Sequence, residues 1–167
     1  MKIKARHHLR DDVKKKIINQ LKSTFGMDVE QLSTAQKFES IETDDEYRIV
    51  LVNDEPTFFM TMSPEHGEKI FPTVRGALKF GPKRNLVVVD SGAVRAVSKG
   101  ADIMCPGIVE ADSRIRKGDI VIVVDEVHGK PLAVGIALTS GEEMIGNSGK
   151  VIKSIHHVGD KIWKLEI

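Results

Sequence analysis

Apolar residues recur at helical spacing near the start of the chain. Because an α-helix turns once every 3.6 residues, side chains four apart share a face. Either Asp11 or Asp12 can cap the start of such a helix, and Gly26 can end it. The pattern predicts an amphipathic helix over residues 11–25, with four residues on its buried face: Val13, Ile17, Leu21 and Phe25.

Short apolar runs that suit β-strands dominate the rest of the first half. Asn53-Asp54-Glu55-Pro56 lies between two of these runs as a turn, so the runs should pair as an antiparallel hairpin. Pro72 suits the first turn of a second helix, which Gly81-Pro82 should end. Four strands are predicted in this half, over residues 2–8, 35–41, 47–52 and 57–62.

The second half is richer in strand patterns. Residues 86–89 form a continuous apolar run that predicts a buried strand. A short basic helix should follow over residues 91–99, and then a strand over 103–109 that Pro106-Gly107 interrupts. Closely spaced short strands with turns between them are typical of a small barrel. The remaining predicted strands cover residues 119–127, 132–138, 151–157 and 161–167.

The change of pattern after Gly81-Pro82 divides the chain into two predicted domains, residues 1–82 and 83–167. A length of 167 residues suits two small domains. Cys105 is the single cysteine, so no intramolecular disulfide can form, which suits a reducing cytosol. No signal-peptide pattern opens the chain, and no segment approaches the roughly 20 apolar residues of a membrane span. We therefore expect a cytoplasmic protein with no membrane partner.

The net charge of +1 hides separated blocks of charge. Residues 2–22 carry a charge of +6, residues 28–68 carry −9, and residues 69–99 carry +6. Such blocks can create local potentials that bind charged partners. The alternative is that the blocks interleave in the fold and cancel, and the sequence leaves both interpretations open.

No set of residues in the sequence has the pattern of a catalytic or metal site. Cys105 lies in an apolar run, where a thiol behaves as a small hydrophobe. The pairs His7-His8 and His156-His157 cannot chelate from one face, because adjacent strand residues point to opposite faces. The segment 146–150 lacks residues that a phosphate loop requires. We therefore expect that the protein is not an enzyme and that it holds no cofactor and no metal.

Six basic residues stand around the predicted domain junction. Members of two pairs are four residues apart on predicted helices, so each pair shares a helix face. A phosphate backbone is bound by cations spaced in this way, whereas ordinary solvated helix faces carry such residues too. The residues are Arg75, Lys79, Lys83, Arg84, Arg95 and Lys99.

Gly100 directly follows the last of these cations. It stands where a helix end needs a left-handed residue. Gly100-Ala101 also carries little side chain, so a base or sugar can approach the backbone closely. Asp90 would repel phosphate from the start of this helix, so any phosphate contact should come from side chains and the loop.

Several short motifs in the second half resemble the PUA domain, a small RNA-binding β-barrel. They lie within about residues 84–167, half of the chain. The motifs are Asp90-x-Gly92-Ala93, Gly100-Ala101-Asp102, Pro106-Gly107-Ile108, Gly118-Asp119 and Ala133-Val134-Gly135.

Further motifs resemble the malignant-T-cell-amplified-sequence proteins, in an archaeal version. Ile103-Met104-Cys105-Pro106-Gly107 is one, and Phe71-Pro72-Thr73-Val74-Arg75 with helix 11–25 resembles the pre-PUA domain of that family. The resemblance implies an α+β fold. Helices would pack on an antiparallel sheet in the pre-PUA domain, and a PUA pseudo-barrel of mixed strands with short helices would follow.

The resemblance also implies a function and partners. A PUA domain would bind structured RNA, rRNA or tRNA, through its first helix, the glycine loop and the next strand, which adds Ala101, Met104, Pro106 and Gly107 to the cations and Gly100. In the narrower family the role is non-catalytic and linked to translation, with the small ribosomal subunit and a density-regulated protein as partners. Two alternatives stay open: a protein-interaction module whose acidic stretch docks a basic partner, and an accessory that delivers RNA to a modifying enzyme.

Overall fold

A computed structural model describes residues 1–34, 37–63, 67–146 and 148–167. The chain divides into two compact units. The first comprises residues 1–81 together with 161–167, and the second comprises residues 82–160. The last seven residues thus group with the first unit and not with the predicted 83–167 domain.

The first unit is built on an antiparallel sheet of five strands in sequential order, β1-β2-β3-β4-β5. Helix α1 (Asp11–Phe25) and helix α2 (Val74–Phe80) accompany this sheet, with a short 3-10 helix over Glu30–Thr34. The predicted α+β fold of this half is confirmed. The strands are β1 (Ile3–His8), β2 (Phe38–Thr43), β3 (Arg48–Val52), β4 (Glu55–Ser63) and β5 (Gly67–Pro72).

Helix α1 follows its hydrophobic pattern. Ile17, Leu21 and Phe25 are buried, whereas Val13 is only half-buried, and Gly26 ends the helix in the left-handed conformation with φ of 61°. The predicted cap is wrong, because Arg10 holds the N-cap position and makes no side-chain cap hydrogen bond. Both aspartates lie instead in the first helical turn, where the positive end of the helix dipole stabilises a carboxylate.

The β3–β4 hairpin is confirmed, with a tighter turn than predicted. Asn53 and Asp54 form the turn at φ of 50° and 68°, and β4 begins at Glu55. A two-residue turn with positive φ at both positions matches the twist of the strands that it joins. Strand β2 begins at Phe38, and residues 35 and 36 of the predicted strand lie outside the described residues.

Strand β5 and the start of α2 differ from the prediction. Pro72 is the last residue of β5, opposite Phe58, and does not open the helix. An edge strand tolerates a proline because the missing N–H need not join a ladder. Thr73 caps α2 instead: its Oγ1 accepts from the N–H of Gly76 at 3.0 Å and donates to the carbonyl of Pro56 at 2.9 Å.

The second unit is a six-stranded mixed sheet that forms the predicted PUA-like pseudo-barrel. The strand order is β7-β11-β10-β9-β6-β8, and β6 pairs with β9 in parallel. Helix α3 (Ser91–Val97) follows β6, and a 3-10 turn over Cys105–Gly107 separates β7 from β8. The strands are β6 (Leu86–Val89), β7 (Ile103–Met104), β8 (Ile108–Ala111), β9 (Ile120–Asp125), β10 (Pro131–Ala137) and β11 (Lys150–His157).

The core of the second unit is aliphatic. Valines of β6 and β9, such as Val87 and Val123, pack there with Ile152 of β11. Cys105 is buried in the same core, and its Sγ lies 3.2 Å from the carbonyl oxygen of Met144. The packing role expected for this thiol is therefore observed.

The predicted final strand over residues 161–167 is wrong. These residues form turns and an irregular end. Ile162 is buried, and Lys161 forms an ion pair with Asp45 of the first unit. The segment groups with the first unit, and among the described residues β11 pairs with β7 and β10.

Candidate nucleic-acid interface

Helix α3 presents its basic residues to solvent. Val97 is buried, while Arg95 on the helix and Lys99 just beyond it are exposed. Neither basic side chain makes an ion pair with any described residue. Both charges are therefore available to a ligand.

Two carboxylates occupy the N-terminus of α3. Oδ1 of Asp90 accepts from the N–H of Ala93 at 2.9 Å, and Oε1 of Glu126 accepts from the N–H of Ser91 at 3.2 Å. Negative charge at this position excludes a further anion. That any phosphate contact comes from side chains and the loop therefore stays a prediction.

The glycine loop (residues 98–102) follows α3 and turns the chain toward β7. Gly100 has φ of 90°, and its N–H donates to the carbonyl of Val97 at 3.0 Å. The N–H of Ala101 donates to the carbonyl of Ala96 at 3.1 Å. These two bonds are the Schellman pattern, in which a left-handed glycine closes a helix. The expected helix-ending role of Gly100 is thus observed.

Asp102 fixes the glycine loop to β11. Its Oδ1 accepts from the N–H of Ser154 at 2.8 Å, and its Oδ2 accepts from Nζ of Lys150 at 2.9 Å. Burial raises the pKa of Asp102, but the Lys150 ammonium and the Ser154 N–H outweigh this effect, so the pKa is lowered. The carboxylate is therefore ionised at neutral pH and ties the loop to the sheet.

His157, at the end of β11, packs against Gly100. A Cβ placed on Gly100 would lie 2.6 Å from Nε2 of His157, closer than real contacts allow. Its strand neighbour His156 is buried, and Nδ1 of that residue lies 2.8 Å from Oδ2 of Asp160. Sequence reasoning considered this histidine pair only as a metal site and missed the contact with the glycine loop.

Two lysines of β11 were also missed. Lys150 pairs with Asp102, and Lys153 is exposed and close enough to lower the pKa of the same carboxyl. Their nearness depends on the pairing of β11 with β7, in which Ile152 lies opposite Ile103. Placing these lysines beside the loop from sequence would have required the register of the strand at 151–157 against the strand at 103–109.

The segment 104–107 lies next to α3. The N–H of Asp90 donates to the carbonyl of Gly107 at 2.9 Å, and a Cβ on Gly107 would lie 2.9 Å from Cβ of Ala93. Met104 and Pro106 are exposed. The structure thus brings this turn, α3 and the glycine loop together within the second unit.

The six predicted cations fall into two groups. Lys83, Arg84, Arg95 and Lys99 lie in the second unit, whereas Arg75 and Lys79 lie in the first. The guanidinium of Arg75 lies 4.0 Å from the ring centre of Trp163 and donates to the carbonyl of that residue at 3.2 Å. Nζ of Lys79 lies 3.7 Å from a carboxylate oxygen of Glu55. Both first-unit cations therefore have intramolecular partners.

Two general features of the described residues bear on function. They contain no group of three or more His, Cys, Asp or Glu residues arranged to hold a metal ion. No helix within the described ranges has the length and apolar character needed to cross a bilayer.

The barrel and its helix–glycine-loop element define the class: this is a PUA-domain protein. The PUA domain family matches residues 85–159, which include α3, the glycine loop and β11. A hypothetical protein of the archaeon Pyrococcus horikoshii has a crystal structure with a TM-score of 0.80 and 40% identity to this chain. That match covers 98% of this chain and 100% of the other.

One curated relative shows the family itself, and a second is similar over nearly the whole chain. The malignant T-cell-amplified sequence 1 homolog of Drosophila melanogaster is 30% identical, over 88% of this chain and 90% of that protein. Translation machinery-associated protein 20 of Saccharomyces cerevisiae is 28% identical, over 98% and 92% of the two chains. This chain belongs to the malignant T-cell-amplified sequence family, and the resemblance seen in its motifs is confirmed.

Proposed function

We propose that this protein is a non-catalytic, cytoplasmic adaptor of the translation machinery that binds structured RNA, rRNA or tRNA. The binding element is α3 with the glycine loop and the segment 104–107 that follows it. The observation that carries the proposal is the pair Arg95 and Lys99, exposed and without an ion-pair partner among the described residues, directly before the fixed loop at Gly100.

Charge and shape at this element suit a nucleic acid. Spaced cations on a helix neutralise phosphates and release counterions. The glycine loop adds a backbone surface with little side chain, which a ribose or base can approach. Lys83 and Arg84 can extend the contact along the second unit. The link to translation is supported by the yeast relative, whose name places it with the translation machinery, and the small ribosomal subunit and a density-regulated protein are the partners we propose.

Filter binding against tRNA and rRNA fragments tests the proposal. We expect the double variant Arg95→Glu and Lys99→Glu to bind more than tenfold more weakly at low salt. The slope of log K against log salt should flatten by roughly one for each phosphate contact that is lost.

The matched control reverses two exposed charges on the turn before β9, Arg116→Glu and Lys117→Glu. This control changes the net charge equally and should bind RNA nearly as the unmodified protein does. Absence of RNA binding by the unmodified protein at low salt, or equal losses in the two double variants, would contradict the proposal.

A cleft in the first unit supports a second candidate function, docking of a basic protein segment. The cleft has a volume of about 340 Å³. Four acidic residues and one cation, Arg48, line it beside Met60 and Met62, and Met62 is 74% exposed. The acidic lining residues are Glu42, Asp45, Glu46 and Glu68.

Pull-down from native lysate with and without nuclease separates the two functions. A partner that survives nuclease, and that is lost in the variant Glu46→Lys with Glu68→Lys, supports docking at the cleft. Partners that disappear with nuclease support RNA binding alone.

A further inference from the structure

His157 reaches the glycine loop because β11 and the loop run side by side. Ile152 pairs with Ile103, and the bond from Ser154 to Asp102 continues this alignment beyond the end of β7. Gly100 precedes Asp102 by two residues, and His157 follows Ser154 by three. The antiparallel alignment therefore brings Gly100 and His157 together. The contact between Gly100 and the imidazole is thus a consequence of the strand register.

Hydrogen bonds fix both the backbone and the ring of His157. The N–H of its backbone donates to Oδ2 of Asp160 at 3.0 Å. Nδ1 of the ring lies 2.8 Å from the carbonyl oxygen of Val158. Because a carbonyl oxygen only accepts, Nδ1 carries the hydrogen. In the neutral ring, Nε2 therefore holds the free lone pair and is an acceptor.

Nε2 of His157 has no hydrogen-bond partner among the described residues. Among the described residues, the one fully buried side-chain polar atom without a hydrogen-bond partner is Ser154 Oγ. Nε2 of His157 also lacks a partner and is not that atom, so it retains exposure to solvent. An acceptor of fixed direction thus lies in contact with solvent beside a residue that has no side chain. Of the charged groups nearby, Asp160 accepts from the backbone N–H of His157, and Lys99 directly precedes Gly100.

A neutral acceptor selects among the groups of a nucleic acid. Phosphate oxygens accept hydrogen bonds and do not donate them, so they offer nothing to this lone pair. The donors of RNA are the N–H groups of bases and the ribose 2′-hydroxyl, and only the hydroxyl distinguishes RNA from DNA. The imidazole lies against the backbone of Gly100, and the adjacent Lys99 would hold a neighbouring phosphate.

We propose that His157 is a specificity-determining residue, whose Nε2 accepts a hydrogen bond from a ribose 2′-hydroxyl and so selects RNA over DNA. The proposal rests on the proposed function, because it places the sugar at the same loop as the phosphate contacts. It adds a residue and a chemical group to that site: the lysines bind any phosphate backbone, and the imidazole reads the sugar.

A deoxy scan tests this assignment. The probe is a synthetic RNA hairpin, together with copies that each carry one 2′-deoxy nucleotide. Affinities are measured at about pH 8. The unmodified protein should lose about three- to tenfold in affinity when one particular position lacks its hydroxyl, the effect of one hydrogen bond.

Two variants of the full chain complete the test. His157→Phe keeps a planar ring but has no acceptor, so it should bind the all-ribose hairpin three- to tenfold more weakly and be insensitive at the position found in the scan. His157→Gln, which can present a polar atom near the place of Nε2, should restore part of the sensitivity. Circular dichroism confirms that both variants are folded.

The outcomes separate this assignment from the proposed function. If His157→Phe binds every hairpin as the unmodified protein does, or weakens all of them and keeps its sensitivity to the deoxy position, the His157 assignment is overturned. The same holds if no deoxy position matters to the unmodified protein. In each of these cases weak binding by the Arg95→Glu, Lys99→Glu variant still upholds the phosphate site. Absence of binding by the unmodified protein overturns both.

Discussion

Gly100→Ala is expected to destabilise the second unit through two separable effects. The first is conformational: φ is 90° at this position, and an L residue there costs about 1–2 kcal/mol. The second is steric, because the new Cβ would lie 2.6 Å from Nε2 of His157. The ring can move only by giving up its bond to the Val158 carbonyl, which costs about 1 kcal/mol. The total is about 2–3 kcal/mol.

A double-mutant cycle separates the two effects. In a His157→Ala background the steric term disappears, so Gly100→Ala should cost only about 1–2 kcal/mol and the coupling energy should be about 1 kcal/mol. Gly118→Ala is the matched control, because φ there is 92° and no described atom beyond its two chain neighbours lies within 4 Å of the added Cβ. Its cost should be the same in both backgrounds.

Urea unfolding followed by circular dichroism measures all four corners of this cycle. An equal cost of Gly100→Ala in both backgrounds would refute the packing of His157 on the glycine loop. A coupling of similar size between Gly118→Ala and His157→Ala would show that the cycle does not report this contact.

Two other residues lead to stability predictions. Burial raises the pKa of Asp112, but hydrogen bonds from Arg114 and from the N–H of Asn85 lower it further, to about 2. Such a carboxylate stabilises the fold above its unfolded pKa of 3.8, by about 2 kcal/mol, and the contribution is lost as pH falls through about 2. Asp112→Asn should therefore lower the unfolding free energy at pH 7 and abolish this acid-induced loss, so an unchanged pH profile would contradict the assignment. Thr73→Ala removes the cap of α2 and a buried hydrogen bond, which should cost about 1–2 kcal/mol in urea unfolding, with recovery in Thr73→Ser; no loss in the alanine variant would count against the cap.

Local patterns predict the elements whose stability is local. The bounds of helix α1 could be predicted to the residue, because its apolar spacing and the left-handed Gly26 depend only on residues close in sequence. The break at Pro106-Gly107 was predicted for the same reason, since proline and glycine act on their own backbone. The PUA motifs then supplied the barrel, which periodicity alone only suggested.

Elements that depend on distant partners were misread. Pro72 is the last residue of an edge strand because β5 pairs with β4, where Phe58 lies opposite it. This pairing has no local signal in the sequence, so the prediction placed Pro72 in a helix. Residues 161–167 have a strand-like composition, but they group with the first unit, where Lys161 pairs with Asp45.

The candidate site divides in the same way. Arg95, Lys99 and Gly100 are close in sequence and could be named as candidates from the sequence. Lys150 and His157 reach the glycine loop only through the register of β11 with β7, which no local pattern encodes.

The most direct test of RNA binding at the glycine loop is photocrosslinking from the loop itself. A photoreactive amino acid replaces Ala101, an exposed neighbour of Gly100, and a second protein carries the same group at Lys117. We predict crosslinks to ribosomal RNA or tRNA from position 101 and few or none from position 117. Absence of RNA crosslinks at 101, or equal yields at both positions, would contradict the account.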